Sequence, residues 1–440
     1  MYTVGLYTLG CKVSQYETEA IAEGFREAGV SVCPFEEKND VYVINTCTVT
    51  RESDRKSRQV IRRAIKKNPD AIICVVGCYT QRTPEEVCSI DGVDVVLGTN
   101  DKMSVVGRAL RLLAGGKGEC EVSVSDVSAA TFEPMRIKSA PRTRAYLKIE
   151  DGCESKCTYC AISDARGRVR SKPREDVICE VESLADSGIR EIVLTGIETG
   201  SYGKDFATSY TLADLIVELD QRHSCERIRL GSLAPELVGR GFAEKIKNVK
   251  ILAPHFHISM QSGSDRVLAS MKRRYSVDRA IENIERLRSV FPRANFTTDL
   301  MVGFPGETEE DFLLTCEFVR RVRLLDAHVF AYSKRKGTPA AGYEGQIDEA
   351  VKKDRSERLI RVKNEVRDSV LDDIIRSGEM LDAIAETLSK DGCYTAHSDS
   401  YVEIKFMTSA EENLSGCAVR VRPVSHKDGV VYGELLAVAD

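Results

Sequence analysis

Three cysteines lie close together in the segment "EDGCESKCTYCAI", where Cys153, Cys157 and Cys160 form a C-x3-C-x2-C run. Three thiolates are one ligand short of a closed structural zinc site, but they can hold three irons of a 4Fe–4S cluster. The fourth iron then stays open and can bind a substrate. Zinc is the alternative, yet zinc sites usually combine paired C-x2-C units. No second Cys or His pair follows closely, so the run favours a cluster with one open iron.

Three further cysteines each follow an apolar segment. Cys11 ends "GLYTLGC", Cys47 ends "VYVINTC" and Cys78 ends "IICVVGC". If these segments are neighbouring parallel strands, their carboxyl ends meet at one edge of a sheet and the three thiols converge. The alternative is that cysteine is often buried as a small apolar residue, an interpretation that fits Cys33, Cys74, Cys88, Cys179, Cys225 and Cys316. Their position at a segment end, after Gly or Thr, favours metal ligation by Cys11, Cys47 and Cys78.

The elements that must position these cysteines alternate between strand and helix. Residues 1–112 contain near-continuous apolar strands separated by helical stretches, which predicts a small doubly wound parallel sheet. Residues 113–141 are rich in Gly, Ser and Pro and are predicted to form a linker. Residues 142–375 contain six strand–helix units, which indicate a partial barrel of the TIM type. The C-x3-C-x2-C run follows the first of its strands, on the carboxyl face where barrel active sites lie.

Residues 376–440 differ in character, because short strands alternate there with Gly-containing turns. This pattern predicts a small β-barrel or sandwich. The whole chain is therefore expected to be a multidomain α/β protein of 440 residues.

Composition excludes several classes of protein. There is no apolar run long enough to span a membrane and no signal-peptide pattern, so we expect a cytoplasmic protein. Fifteen cysteines in a reducing compartment indicate metal or redox chemistry more than disulfides. The net charge of −5 gives no overall basic field, so any nucleic-acid contact must come from local patches.

The cysteine run resembles the signature of the radical S-adenosylmethionine (SAM) superfamily, C-x3-C-x-aromatic-C, with Tyr159 at the aromatic position. The resemblance implies that the open iron chelates SAM, whose cleavage yields a 5′-deoxyadenosyl radical. Strand-end segments "TGIETG", "MQSGSD" and "DLMVGFPGET" resemble the family's SAM-binding segments. They imply SAM contacts from Thr195, Gly196, Glu198, Gln261, Ser262, Gly303 and Gly306. Taken singly, each segment is better explained as a Gly-rich turn, but their joint occurrence at the ends of successive strands favours SAM binding.

Nearly the whole chain resembles the methylthiotransferase family. "YTLGCKVSQYETEAI" and "YSKRKGTPAA" carry the resemblance, and the string around Cys11 is most similar to bacterial threonylcarbamoyladenosine tRNA methylthiotransferases. The resemblance implies a second 4Fe–4S cluster on Cys11, Cys47 and Cys78. It also implies transfer of a methylthio group to carbon 2 of the modified adenosine beside the anticodon. An electron donor such as flavodoxin or ferredoxin would then be needed.

Two basic runs flank the cysteine sites. Residues 51–67 carry eight basic and two acidic side chains, and residues 165–174 add a second basic cluster. Such runs can neutralise RNA phosphates, although a charged run is often only a solvated helix face. The predicted RNA contacts are Arg51, Arg55, Arg58, Arg62, Arg166, Arg168 and Arg170.

The C-terminal module resembles the RNA-binding TRAM domain. Its residues 376–440 nevertheless hold six Lys or Arg against eleven Asp or Glu, a net charge of −5. An acidic barrel binds phosphates poorly. A local patch of Arg420, Arg422, His426 and Lys427 remains one interpretation, and packing against the central barrel is the other.

Other functions remain open from sequence alone. The same chemistry could act on isopentenyladenosine in tRNA or on a ribosomal protein, although the string around Cys11 argues against both. A non-catalytic iron–sulfur scaffold or electron carrier is the alternative from another class. A complete barrel with Gly-rich strand ends argues against a carrier, which needs no SAM pocket.

Overall fold

The computed structural model describes residues 1–140, 143–408 and 413–439, and the side chain of residue 439 is not described. The predicted boundary between linker and barrel, at residues 141 and 142, lies outside these ranges. The N-terminal strands are β1 Thr3–Thr8, β2 Ser31–Cys33, β3 Val41–Thr46, β4 Ile72–Gly77, β5 Val95–Leu97 and β6 Glu121–Ser123. They form one parallel sheet in the order β2-β1-β3-β4-β5-β6. The strand β6 lies within the segment predicted to be a linker.

Helices cover both faces of this sheet, as a doubly wound fold requires. They are α1 Lys12–Glu27, α2 Arg51–Lys67, α3 Cys78–Arg82, α4 Pro84–Cys88 and α5 Ser104–Gly115. Alternation along β3 shows the two layers: Val41 and Val43 pack with α1 and α5, whereas Tyr42 and Ile44 pack with α2 and α4. Because both faces are buried, β3 and β4 are apolar at nearly every position.

The central domain is a partial barrel of parallel strands. Its wall consists of β7 Arg144–Lys148, β10 Glu191–Thr195, β11 Arg227–Leu230, β12 Ser232–Leu233, β13 His255–Gln261, β14 Asn295–Val302 and β15 Asp326–Ala331. Only Gly231 separates β11 from β12, so these two short strands together occupy one of the six strand positions in the barrel wall. Glu150–Asp151 and Arg170–Ser171 form a small antiparallel pair, β8 and β9, above β7. The predicted strands and partial barrel are confirmed.

Helices of this domain pack outside the wall and bury one large apolar cluster against it. They are α6 Ile162–Arg166, α7 Arg174–Asp186, α8 Leu212–Gln221, α9 Arg240–Ile246, α10 Asp265–Ser270, α11 Val277–Val290, α12 Glu309–Val322 and α13 Glu349–Ser377. Short 3-10 turns lie at Val127–Ala129, Thr199–Ser201, Pro235–Leu237 and Pro339–Gly342. The long helix α13 ends at Gly378, which adopts the left-handed conformation that glycine tolerates best.

The C-terminal strands close into a barrel in the order β16-β17-β18-β20-β19. They are β16 Leu381–Leu388, β17 Cys393–Ser398, β18 Glu403–Met407, β19 Ala418–Lys427 and β20 Val430–Ala439. Pairing of β16 with β19 completes the closure, which removes free sheet edges. The predicted small β-barrel is confirmed.

The C-terminal barrel docks against the amino ends of the central strands. Arg229 on β11 donates to the carbonyl oxygens of Ser398 and Asp399, at 3.1 and 3.0 Å, while its guanidinium also pairs with Glu191. Asn295 donates to Ser400 O at 3.1 Å. This contact leaves the carboxyl ends of the central strands free to face the N-terminal domain.

Candidate functional site

The three cysteines of the N-terminal sheet lie together at its carboxyl edge. Cys11, Cys47 and Cys78 follow β1, β3 and β4, which are adjacent in the sheet. Gly10 and Gly77 precede the first and third cysteine with φ of +117° and +116°, values that L side chains rarely adopt. A Cβ on Gly10 would lie 3.0 Å from Cys47 Cβ, and one on Gly77 would lie 2.5 Å from Thr46 O. The absence of a side chain at Gly10 and Gly77 therefore allows the ends of β1 and β4 to approach the end of β3 closely.

Electrostatics support the proximity of these thiols. Burial, and then the neighbouring Cys78 and Cys11, raises the pKa of Cys47 to about 12. Burial also raises the pKa of Cys78, and the nearby Arg166 opposes that rise. Thiols in this condition are protonated when no metal is present, so cluster binding must release protons.

The C-x3-C-x2-C run forms a loop above β7 and β8. Cys153 N donates to Gly167 O at 3.0 Å, and Cys160 N donates to Cys157 O at 3.0 Å. Thr158 is held through its backbone by Met271 O and by Ala340 N, at 3.1 and 2.9 Å. The loop is thus fastened to the end of α10 and to the 3-10 turn Pro339–Gly342, and not only to its own strand.

The guanidinium of Arg273 lies against this loop. Arg273 Nη1 donates to Cys157 Sγ at 3.3 Å, and its Nη2 donates to Ser259 O at 2.9 Å.

The other two thiols of the run are buried. Burial and then Glu198 raise the pKa of Cys153 to about 12, and burial raises the pKa of Cys160 to about 11. Tyr159 packs with a separate apolar cluster that includes Met301 and Phe304.

The segment after β10 brings a carboxylate beside the run. Glu198 Oε2 lies 3.9 Å from Cys153 Sγ, and Ser155 and Ser201 donate hydrogen bonds to the same carboxylate at 3.0 and 2.8 Å. Behind it, Glu150 accepts a hydrogen bond from Glu198 N at 2.8 Å. Burial raises the pKa of Glu150 well above its ordinary range. Glu198 therefore places a carboxylate beside Cys153, and Glu150 supports it from behind.

Gly196 permits that arrangement, because a Cβ there would lie 2.4 Å from Glu150 Oε2. Thr195, the last residue of β10, is buried, and its carbonyl accepts from Ile149 N at 2.9 Å. Both residues lie at the carboxyl end of the barrel, near the cysteine loop.

Gln261 ends β13 in an unusual conformation. Its φ of +73° is left-handed, and the β13–β14 register shifts between Ile258 and Gln261. Its buried Oε1 has no hydrogen-bond partner among the described residues. Strain and an unpaired acceptor at a strand end are common where a ligand binds. Next to it, buried Ser262 is engaged within the protein: its Oγ accepts from Ser264 N at 3.2 Å.

Gly303 and Gly306, the remaining predicted SAM contacts, are in contact with other parts of the protein. A Cβ on Gly303 would lie 2.3 Å from Lys352 Cγ, so α13 packs directly on this glycine. Gly303 N donates to Glu307 at 2.8 Å, and Gly306 N donates to Gly345 O at 2.8 Å. The backbone N–H groups of both glycines are therefore already used within the protein.

The carboxyl ends of the two parallel sheets face each other. Arg335 joins them, because its guanidinium contacts Thr48 Oγ1 and Asp54 Oδ2, each at 2.7 Å, just beyond Cys47. A cavity of about 390 Å³ adjoins both domains and is lined by Cys11 from one side and by Thr195 and Gly196 from the other. Cys11 of one domain therefore shares a cavity with the strand end that flanks the other cysteine run.

The donor sets suit iron–sulfur clusters better than single ions. Among the described residues, no three His, Cys, Asp or Glu side chains converge closely enough to coordinate one metal ion. A 4Fe–4S cluster is larger and takes one thiolate for each ligated iron. Cys153, Cys157 and Cys160 supply three thiols from one loop, which fits a cluster with one open iron, whereas Cys11, Cys47 and Cys78 come from three separate strand ends.

Comparisons with known proteins agree with this geometry. Residues 147–319 match the model of the radical SAM superfamily, and residues 3–98 match uncharacterized protein family UPF0004. The threonylcarbamoyladenosine tRNA methylthiotransferase MtaB of Bacillus subtilis (strain 168) is 42% identical over 99% of this chain and 96% of its own length. Its namesake from Thermotoga maritima is 37% identical over 98% and 96%. A tRNA-2-methylthio-N(6)-dimethylallyladenosine synthase of Thermoanaerobacter pseudethanolicus is 32% identical over 98% and 92%.

This chain belongs to the radical SAM tRNA methylthiotransferase family. The resemblance inferred from the cysteine run and from the string around Cys11 is thereby confirmed, and the protein is a transferase. Among solved structures, the radical SAM methyltransferase TsrM of Kitasatospora setae superposes with a TM-score of 0.57 at 16% identity, covering 77% of each chain. That likeness shows the shared fold.

The predicted RNA contacts of this methylthiotransferase divide into two groups. Arg51, Arg55 and Arg62 are exposed on α2, which begins beyond Cys47 at the N-cap Thr50. Arg58 is partly buried, donates to Tyr79 and pairs with Glu86. In the second basic run, Arg168 is exposed, and its Nε donates to Ser128 O at 3.0 Å.

The structure contradicts the prediction that Arg166 and Arg170 contact RNA. Both are buried, and both contact Asp151; Arg166 also pairs with Glu17 at 2.6 Å. A guanidinium enclosed by carboxylates cannot reach an RNA phosphate without breaking that network. The basic run does lie near the cysteines, as its sequence position predicts, but two of its arginines point inward, which the sequence does not reveal.

The suggested basic patch on the C-terminal barrel is largely neutralised. Arg420 pairs with Asp382, Arg422 with Glu434 and His426 with Asp372, at 2.7, 3.2 and 3.1 Å. The docking contacts of Arg229 favour the other interpretation, in which this module packs against the central barrel.

Sequence reasoning missed several residues at the site, namely Lys12, Glu17, Glu150, Asp151, His255 and Arg273. Their signal was weak, because each is a charged or polar residue inside an otherwise ordinary strand, helix or turn. In the described part of the chain, no helix is long and apolar enough to cross a membrane.

Proposed function

We propose that this methylthiotransferase adds a methylthio group to carbon 2 of N6-threonylcarbamoyladenosine beside the anticodon of tRNA, in the cytoplasm where tRNA is found. One observation carries the proposal: Cys11 lines the same cavity as Thr195 and Gly196, next to the second cysteine run. A cavity that Cys11 shares with the strand end beside the second cysteine run suits a reaction that needs both a radical and a source of sulfur. The names of two of the relatives reported above support the choice of substrate.

Cys153, Cys157 and Cys160 would hold one 4Fe–4S cluster, and Cys11, Cys47 and Cys78 would hold a second. When bound, the clusters and SAM would supply the radical and the sulfur, because an aromatic carbon–hydrogen bond offers no acidic proton to a base. Glu198 and Gln261 are the SAM contacts that the structure favours most. The first offers a carboxylate to the SAM amine and the second an unpaired acceptor.

The chain's own residues orient and shield the chemistry. Glu150 holds the loop of Glu198 through a backbone hydrogen bond, and Arg273 places a positive charge beside Cys157. Tyr159 packs beside the run on an apolar cluster and excludes water from that side. Exposed arginines on α2 would bind the tRNA backbone near Cys47. A small electron-transfer protein such as flavodoxin or ferredoxin would deliver the reducing electron.

The deciding experiment is mass spectrometry of tRNA nucleosides from a strain that lacks this gene. Loss of the methylthio mark from threonylcarbamoyladenosine, restored by the wild-type gene, is the expected result. An intact mark would contradict the assignment. Loss of the mark from isopentenyladenosine instead would favour the other tRNA substrate named above.

A further inference from the structure

The cavity that Cys11 lines continues down the interior of the partial barrel. Its far end is formed by the amino-terminal halves of β13, β14 and β15 and by Tyr401 of the C-terminal barrel. At about 390 Å³ it lies within the range of small-ligand pockets. The proposed reaction at carbon 2 needs only the end near Cys11, so the deeper part has no role assigned above.

Lys12 is the cation in this cavity that has no partner among the described residues. Within that part of the chain, no hydrogen bond or ion pair engages its ammonium, although the side chain lines the cavity. The carboxylates of the same wall are already occupied. Asp299 pairs with His257 and His328, at 3.2 and 3.3 Å, and Asp326 pairs with Lys363 at 2.5 Å. The cavity therefore offers a cation that has no direct ion-pair partner among the described residues.

His255 adds an unused polar atom. Its Nε2 is hydrogen-bonded to Thr297 Oγ1 at 2.9 Å, while its buried Nδ1 has no partner among the described residues. The ring stacks on Tyr401, with 4.2 Å between centroids and 14° between planes. Tyr401 itself has a φ of +73°, a strained conformation for a tyrosine. Burial and then the nearby Arg229 lower the pKa of His255 well below its ordinary value, so the ring is neutral.

We propose that this cavity receives the N6 substituent of the target adenosine and that Lys12 pairs with a carboxylate on that substituent. The inference rests on the proposed function and names the residue that selects the substrate. An adenine with carbon 2 at the Cys11 end can extend its N6 substituent toward Tyr401. There His255 Nδ1 forms a hydrogen bond with a polar group of the substituent. An apolar N6 substituent would leave Lys12 and His255 buried and unpaired, which disfavours its binding.

The test compares the binding affinities of two RNAs for the same protein. Anticodon stem-loops carry either N6-threonylcarbamoyladenosine or its carboxyl methyl ester, and equilibrium binding is measured by fluorescence anisotropy. The wild type should bind the acid more tightly than the ester. Lys12→Met should weaken binding of the acid by about thirtyfold, leave the ester unchanged and so abolish the preference. Lys12→Arg should restore part of it.

Because the acid-to-ester ratio is taken within one protein, partial misfolding cancels from it. Lys353→Met, on the exposed face of α13, is the matched control and should keep the wild-type ratio. His255→Phe keeps an aromatic ring against Tyr401 but removes Nδ1, together with the Nε2 contact to Thr297, and should weaken binding of both RNAs. A Lys12→Met protein with the wild-type ratio would overturn the cavity assignment. Failure of the wild type to methylthiolate the acid RNA would instead contradict the proposed function.

Discussion

Arg166 Nε donates a hydrogen bond to Cys78 Sγ at 3.1 Å, although the two residues belong to different domains. Arg166 ends the helix that follows the C-x3-C-x2-C run, and Cys78 begins the helix after β4. The same guanidinium pairs with Glu17 of α1 and with Asp151, two residues before Cys153. One buried arginine thus connects the two cysteine sites mechanically and electrostatically.

Replacement of Arg166 by methionine should destabilise the protein strongly. The change leaves Glu17 and Asp151 with one cation fewer inside the fold, and removal of one partner of a buried pair typically costs about 3–5 kcal/mol. Urea unfolding measures the difference. Arg168→Met, two positions away and exposed, is the control and should change stability by less than about 0.5 kcal/mol. Equal stabilities of the two variants would contradict the buried network.

Removal of one N-terminal cysteine should abolish one of two clusters. Anaerobically reconstituted wild-type protein should hold about eight irons per chain, as two clusters of four. Cys78→Ala should lower this to about four and should leave SAM binding intact. Cys74→Ala, on β4 just before Cys78 but packed in the apolar core, is the matched control and should retain the full iron content. A wild-type content of about four would remove the second cluster.

The exposed face of α2 should bind RNA through phosphates. The triple variant of Arg51, Arg55 and Arg62 to alanine should weaken tRNA binding. The slope of log affinity against log salt should fall by about 0.7–0.9 for each phosphate that an arginine no longer neutralises. Filter binding across a salt series measures both quantities. Arg321→Ala, exposed on α12, provides the control. Unchanged affinity in the triple variant would leave this helix face merely solvated.

Acid should loosen the contact between the central and C-terminal barrels. Burial tends to raise the pKa of Glu191, but Arg229, Arg144 and Arg227 outweigh it and lower that pKa from 4.5 to about 2. A carboxyl with a lowered folded-state pKa stabilises the protein fully above its unfolded-state pKa. That stability, about 3 kcal/mol, is lost as the pH falls from about 4.5 toward 2.

Glu191→Gln should therefore lower stability near neutral pH and flatten its dependence on pH within that acidic window. Urea midpoints measured across a pH series test this prediction. Glu244→Gln, in an exposed pair with Lys247, should keep the wild-type profile. A wild-type curve that is flat below about pH 4.5 would show that the guanidinium contacts do not hold Glu191 ionised.

Much of the architecture was predictable because it depends on local patterns. Continuous apolar strands such as "VYVINT" can only be buried on both faces, and that fact, with the helical stretches between them, predicts a doubly wound sheet. The six strand–helix units predicted the partial barrel for the same reason. The convergence of Cys11, Cys47 and Cys78 was predictable from their strand-end positions, since parallel strands bring their carboxyl ends to one edge.

From the amino-acid sequence we could predict the family, the order of the domains and the six cysteines proposed as cluster ligands. The direction of individual charged side chains depends instead on tertiary contacts. Arg166 and Arg168 are two residues apart in one basic run, yet one is enclosed by Glu17 and Asp151 while the other reaches solvent. Lys12 likewise lines the same cavity as His255 and Tyr401, which are distant from it in sequence. Burial of a charge depends on what other segments bring to it, and no local pattern records those partners.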